Sequence, residues 1–401
     1  MSPLAQTPEI QPSPNLDTPD PLLRWRAEFP ILEHTTYMIS HSLGPMPRRA
    51  AAAMQEFAEV WATRGIRAWE EGWWDMPVAC GDLIGKIIGA PRGRVVMHQN
   101  VSICQQIVTS CFDWSGRANG GRNKLVTEGL NFPSNDYIYE GLQRQGARIV
   151  SVPPDPDGLT VSTQAILDAI DAQTQLVSIS HVAFRSSALQ DLAAITEKAH
   201  AVGAYIVADL YQSAGIVPLD VTALNVDFAT GGSVKWLLGG PGAGYLYVRP
   251  GLDLEPAATG WAAHAHPFDF APAMTYAPDI HRFLNGTPNV PAMYSARSGY
   301  EIVAEIGVPA IRAKSQLQTQ RLIALADEAG LTARSPRNPD HRGGAVILQV
   351  PDERGRDLVA ELARRQILVD FRPGAGIRVA PHFYTSKDDL THTIENLASL
   401  L

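Results

Sequence analysis

From residue 95 onward the chain alternates short apolar runs with amphipathic stretches. Segments 95–97, 124–127, 147–152, 175–180 and 205–208 have the length and β-branched content of buried strands. Between them, 102–112, 136–145, 163–169 and 189–201 carry apolar residues at helical spacing, and 228–230 and 244–248 complete the strand set. Upstream, 47–61 reads as a helix with Pro47 near its start. Strands alternating with helices predict an α/β layer with helices on both faces of the sheet. From 253 to 291 the periodicity gives way to Pro, His and aromatic residues, which predicts irregular, partly intersubunit structure. Segment 294–328 predicts one or two long helices. The remainder, 345–350, 356–365, 367–369, 377–379 and 387–400, reads β-α-β-β-α. The expected organisation is an N-terminal arm over 1–45, a large domain over 46–290 and a small C-terminal α+β domain over 291–401.

Composition narrows the partners. The 401 residues are 45% hydrophobic and 18% charged, ordinary for a soluble protein large enough for two domains. A net charge of −8 argues against nucleic acid or an anionic membrane as partner. No apolar run approaches the roughly 18 residues of a membrane span. Residues 1–21 lack the basic start and apolar centre of a secretory signal and read as a flexible arm. Cys80, Cys104 and Cys111 lie in apolar settings without metal-ligand spacing, the pattern of reduced thiols in a cytoplasmic protein.

Candidate chemistry concentrates in Gly231-Gly-Ser-Val-Lys-Trp-Leu-Leu-Gly-Gly-Pro-Gly-Ala-Gly-Tyr245, where one lysine, Lys235, sits between small residues and a glycine-rich exit. Upstream, Gly203-Ala-Tyr-Ile-Val-Ala-Asp209 is a strand-like run ending in a carboxylate. A lysine able to form a Schiff base and an aspartate able to hold a pyridinium nitrogen are what pyridoxal 5'-phosphate (PLP) chemistry requires. Ligands of such sheets sit beyond the carboxyl ends of strands, where both residues fall. A dinucleotide loop is a poor alternative for Gly239–Gly244, which leads into a strand rather than a helix. His264, His266 and His281 accompany Trp261, Phe268 and Phe270 in the irregular segment, without a familiar metal spacing; substrate pocket or packing are their two readings.

From about Tyr37 to the C-terminus the chain resembles the class V, fold-type I PLP enzymes, and within them the kynureninase branch. The resemblance is carried by His41-Ser-Leu-Gly44, Arg67-Ala-Trp-Glu-Glu-Gly-Trp73, Asn131-Phe-Pro-Ser-Asn-Asp-Tyr137, Asp209-Leu-Tyr-Gln-Ser-Ala-Gly215, the Lys235 segment and Gly376-Ile-Arg-Val-Ala-Pro-His-Phe-Tyr384. It implies a large domain with a mixed, mostly parallel sheet and a homodimer with shared active sites. Lys235 and Asp209 would be catalytic. Phe132 would stack on the cofactor ring, with Asn135 and Gln212 nearby. Val101, Ser102 and Ser233 would hold the phosphate, joined from the neighbouring subunit by Trp261 and Thr287. Arg378 would clamp the substrate α-carboxylate, with His41 and Ser42 in the substrate site. The implied activity is hydrolytic Cβ–Cγ cleavage of an α-amino acid.

Three positions depart from the kynureninase pattern. Asn135 replaces an Asp, Gln212 a His, and Val234 a Tyr implicated in phosphate binding and proton delivery. The spacing of Asp209 and Gln212 resembles that of cysteine desulfurases and the isopenicillin N epimerase-like group. Class V aminotransfer, epimerisation and C–S cleavage therefore stand as alternatives. A desulfurase nucleophile on a late loop is excluded, since the last cysteine is Cys111.

Overall fold

The structure, a computed structural model, describes residues 20–401; residues 1–19 of the expected arm lie outside them. A two-residue strand, β1 (Thr36–Tyr37), precedes two helices, α1 (Arg48–Arg64) and α2 (Met76–Ile88). Strands β2 (Val95–His98), β3 (Lys124–Glu128), β4 (Arg148–Val152), β5 (Thr174–Ser180), β6 (Tyr205–Asp209), β7 (Phe228–Gly232) and β8 (Gly244–Val248) follow. Between them run α3 (Val101–Thr109), α4 (Pro133–Leu142), α5 (Thr163–Ala169) and α6 (Leu192–Ala201). After α7 (Val290–Ile306) and α8 (Val308–Glu328) come β9 (Val346–Leu348), α9 (Gly355–Arg364), β10 (Ile367–Leu368), β11 (Asp370–Arg372), β12 (Gly376–Val379) and α10 (Lys387–Leu400).

The large sheet has the order β2-β8-β7-β6-β5-β3-β4. Every neighbouring pair is parallel except those of β8, which runs against β2 and β7. Strands β2, β3, β5, β7 and β8 are buried at every position. Burial on both faces is why β2, β3 and β8 carry apolar residues at consecutive rather than alternate central positions. The small antiparallel sheet, β11-β12-β9, has its own core of residues such as Leu322, Val346, Leu362 and Ile377. Met38 belongs to that core, and β1 pairs with β10 in parallel. The chain thus runs from beside the C-terminal sheet, where Ile39 bridges Ala380, to the large domain, where Gly44 N–H donates to the Val234 carbonyl. The expected large mixed sheet and smaller C-terminal α+β part are both present. No helix among the described residues is long and apolar enough to cross a membrane.

Helix α2 and strand β11 differ from expectation for definable reasons, while segments 253–291 and 294–328 agree with it. Helix α2 was not anticipated, because Pro77, Gly81 and Gly85 weaken its helical signal. Gly81 is required by packing: a Cβ there would lie 2.0 Å from the carbonyl oxygen of Val95 in β2. Segment 294–328 is two helices, broken at Gly307, whose φ is +84°. Strand β11 was missed and pairs with β12, placing Asp370 opposite Arg378. The segment after β8 is irregular, with short 3₁₀ turns at Trp261–Ala263, Pro267–Asp269 and Ile280–Phe283 and an isolated bridge between His264 and Tyr276.

Candidate active site

The cavity of interest measures about 220 Å³ and opens at the carboxyl ends of β3, β5, β6 and β7, which are neighbours in the sheet. Asp209 is the last residue of β6. Lys235 follows β7 on the turn to β8, and Phe132 and Asn135 follow β3. All four line the cavity, with Val101, Ser102 and Gln212. These seven are the predicted site residues that the fold brings together.

The Lys235 turn is held from three sides. Ser233 N–H donates to the Ala243 carbonyl at 2.9 Å and Gly239 N–H to the Ser233 carbonyl at 2.7 Å. Gly44 N–H donates to the Val234 carbonyl at 2.6 Å, and a Cβ on Gly44 would lie 2.5 Å from the Lys235 carbonyl oxygen. Helix α7 closes the third side at Gly299, where a Cβ would fall 2.1 Å from the Leu237 oxygen. Leu238 takes a left-handed φ of +58°, a conformation unfavourable for a bulky residue and retained where surrounding packing over-determines it.

The Lys235 amine lies 4.2 Å from the Tyr211 ring centroid and 5.6 Å from that of Phe132. Burial pulls it down to about 7, against the pull of the Asp209 charge. Burial likewise pushes the Asp209 carboxyl up, opposed by Tyr211 N–H at 2.9 Å, Asn135 Nδ2 at 2.9 Å and the Lys235 charge. Each carboxylate oxygen has one donor and keeps a lone pair for another. Asn135 therefore aims Asp209, and Asn131 Oδ1 in turn accepts from Asn135 Nδ2 at 3.1 Å. Phe132 is 46% exposed, its ring edge-on to Phe184 at 5.3 Å, so a face remains for a ring in the cavity.

At the opposite wall, α3 begins. Asn100 caps it, its side chain accepting from Ile103 N–H at 3.0 Å, and its carbonyl accepts from Cys104 N–H. Val101 and Ser102 N–H have no acceptor among the described residues. Two free donors at a helix start suit an anion. An apolar ring face, a carboxylate with spare lone pairs, a reactive amine and an anion cradle match a phosphorylated pyridine aldehyde.

Gln212 is the least free of the seven, and the remaining predicted residues stand apart. Gln212 lines the cavity, but both ends of its amide are engaged: Nε2 donates to the His41 carbonyl at 3.1 Å, and Oε1 accepts from Trp236 Nε1 at 3.1 Å. Ser233 turns into the core, donating to the Ala243 carbonyl at 2.7 Å and meeting the Tyr300 hydroxyl. Trp261 packs among Trp74, Phe268 and Phe270, and Thr287 is exposed; neither lines this chain's cavity.

Arg378, His41 and Ser42 lie off the cavity wall. Ser42 N–H donates to the Ile39 carbonyl. Arg378 is buried against Asp370, Nε to Oδ1 at 2.7 Å and Nη2 to Oδ2, while Nη1 donates to the Phe184 carbonyl at 2.8 Å. Three of its five N–H groups are thus committed, leaving one on each Nη for a second carboxylate. His41 Nε2 lies 3.1 Å from Asp370 Oδ1, and burial with the Arg378 charge pulls its imidazole down to about 4. Burial works against the Asp370 charge, yet the His41 and Arg378 contacts hold its carboxyl well below the usual carboxylate range.

Sequence reasoning missed Tyr211, Phe184 and Asp370. Tyr211 stands inside the quoted Asp209–Gly215 motif, and Asp370 is a lone acid in an apolar stretch; Phe184 carries no signal.

The aminotransferase class-V family model matches residues 36–388. The kynureninase of Burkholderia pseudomallei (strain K96243) is 31% identical over 402 residues, covering 96% of this chain and 94% of that protein. The kynureninase of Pseudomonas fluorescens is 30% identical over 400 residues, with the same coverage. Among solved structures, the apo cysteine desulfurase of Thermococcus onnurineus NA1 superimposes with a TM-score of 0.83 at 21% identity, covering 96% of this chain and 98% of that one. The cystine C-S lyase C-DES, in complex with cysteine persulfide, gives 0.83 at 19% identity over 92% of this chain and 99% of that one. At those identities the likeness establishes the fold, which is fold-type I. The chain belongs to the class-V aminotransferase family, whose members work through PLP.

Proposed function

We propose that the protein is a kynureninase-type hydrolase, cleaving the Cβ–Cγ bond of an α-amino acid that carries a γ-carbonyl. The observation behind this reading is 30–31% identity to kynureninases across 96% of the chain. PLP, when bound, supplies an electron sink for the charge left on the substrate as bonds near its α-carbon break. The chain's own residues do the rest. Lys235 Nζ is the attachment point and, once freed, the base that takes the α-proton. Asp209, aimed by Asn135 and the Tyr211 N–H, holds the ring nitrogen. Phe132 would pack on the ring, and Val101 and Ser102 N–H would hold the phosphate. Arg378, fixed by Asp370, grips the α-carboxylate with its two remaining N–H groups. Water adds to the γ-carbonyl, the Cβ–Cγ bond breaks, the acyl part leaves as a carboxylic acid, the β-carbon takes a proton, and Lys235 returns its proton to the α-carbon.

The test is anthranilate and alanine release from L-kynurenine, and the corresponding products from its 3-hydroxy analogue, with PLP-loaded protein. Equal amounts of both products support the reading. Gln212 and Val234 favour a second one, in which the same site catalyses transamination, epimerisation or C–S cleavage. PLP-loaded protein that leaves both kynurenines intact would favour it.

The free amine is the form that captures an aldehyde. With Lys235 pulled down to about 7, capture of PLP by cofactor-free protein should speed up as pH rises through 7 and level off above about 8. Stopped-flow absorbance measures it; a rise delayed to pH 10 would contradict the lowered amine.

We further infer a cytoplasmic homodimer with shared sites. The three free cysteines fit a reducing compartment, and Trp261 and exposed Thr287 would serve the partner's phosphate. Mixing Lys235→Ala with Thr287→Ala protein should restore roughly a quarter of wild-type activity, since half of randomly paired dimers hold one intact site of two. No recovery in verified mixed dimers would count against sharing.

A further inference from the structure

We propose that Tyr211 is the acid of this site: its phenol delivers the proton that the substrate β-carbon takes up when Cβ–Cγ breaks. This rests on the hydrolase reading above. Val234 carries no hydroxyl, and the proton that Lys235 takes goes back to the α-carbon, so the β-carbon is served by another group on the cavity wall. Among the described residues Tyr211 is the one phenol lining the cavity. None of the other buried phenols lines the cavity: Tyr37 Oη donates to the Leu43 carbonyl, Tyr294 Oη accepts from Trp73 Nε1, and Tyr247 lies on β8. Tyr139 meets Gln105 and Ser178, Tyr300 meets Ser233, Tyr384 meets Ser40, and Tyr245 packs on Gly231. Tyr211 Oη makes no hydrogen bond to another described residue.

Its position is built rather than incidental. Tyr211 follows Asp209 by two residues, and its N–H donates to Asp209 Oδ1 at 2.9 Å, tying it to the carboxylate that would hold the ring nitrogen. Its ring lies on bare backbone, because a Cβ on Gly232 would come 2.3 Å from Tyr211 Cζ and 2.4 Å from Oη. The Lys235 amine, 4.2 Å from its ring centroid, shares the same pocket. Ser102, Ser134 and Ser180 also line the cavity, but alcohols are far weaker acids, and Ser180 Oγ already donates to Asn131 Oδ1. Burial pushes the Tyr211 phenol up to about 12, so it is protonated at neutral pH.

In the step, the electron pair of the Cβ–Cγ bond stays on the β-carbon and takes the Oη proton. The phenolate then recovers a proton from the carboxylic acid that leaves, so no oxidant or further reactant enters.

The test is Tyr211→Phe, which keeps the ring on Gly232. Anthranilate release should fall about 100-fold or more, while exchange of the substrate α-proton with solvent stays within about two-fold. The dissociation constant for PLP, from titration of cofactor-free protein, should be unchanged. Full cleavage in Tyr211→Phe would overturn the assignment and leave the hydrolase reading intact. Parallel loss of PLP binding and α-proton exchange would also overturn it, showing a packing role. Wild-type protein that releases no anthranilate would take both down.

Discussion

Lys235→Ala is expected to lower turnover by about 10⁴-fold without loosening the fold. The amine is the attachment point for the cofactor and the base for the α-proton, so one substitution removes both. Stability should hold or rise. Lys235 Nζ donates to no acceptor among the described residues, and its burial disfavours the charged form strongly enough to bring it to about 7. Its removal also takes a positive charge from beside Asp209, whose carboxyl would be pushed further up. Measured together, α-proton exchange should vanish while the thermal midpoint stays at or above that of the wild type. Retained exchange would show that another base does the work. A collapse of the midpoint would show that the lysine is a packing element.

Asp370→Ala is the second large effect, and it acts on stability. One carboxylate meets three basic groups: Arg378 on the facing strand, Arg372 at 3.1 Å and His41 at 3.1 Å. Arg378 is 2% exposed. Removing Asp370 leaves a buried guanidinium without its counter-charge, which costs about 3–5 kcal/mol. For a chain of this length that is a fall in Tm of roughly 5 °C. Asp370→Asn should lose less, since one hydrogen-bond acceptor survives. The sign with pH follows from the lowered carboxyl. The contribution is complete above the ordinary Asp value of 3.8 and fades as acid takes the pH below it. A wild-type midpoint insensitive to Asp370→Ala at pH 7 would show that Arg378 does not depend on this pair. With the pair intact, Arg378 is presented at a fixed angle, so the same variant should raise KM for the amino acid more than it lowers kcat.

The parts of the site that were legible in the sequence are those set by strand ends. A buried parallel strand reads as an apolar run, and residues at or shortly beyond its carboxyl end border the ligand crevice. Asp209 at the end of β6 and Lys235 beyond β7 are such residues, and Phe132 and Asn135 follow β3 in the same way. What was not legible depends on contacts between distant segments. Helix α2 carries glycines that lower its propensity, and the reason for Gly81 is a strand carbonyl 2.0 Å from where its Cβ would be. The inward turn of Ser233 is set by Tyr300, 67 residues later. The embrace of Arg378 by Asp370 depends on the register of β11 on β12, and β11 is too short to announce itself by periodicity. Tyr211 was visible in its motif, but its relation to Gly232 appears only when β6 and β7 lie side by side.

The central claim is that Lys235 carries the cofactor within this cavity. Reduction of PLP-loaded protein with borohydride, followed by peptide mapping by mass spectrometry, tests it most directly. The account predicts one pyridoxyl group per chain, on the peptide containing Lys235. Label on another lysine, or none from protein that retains PLP through gel filtration, would contradict it.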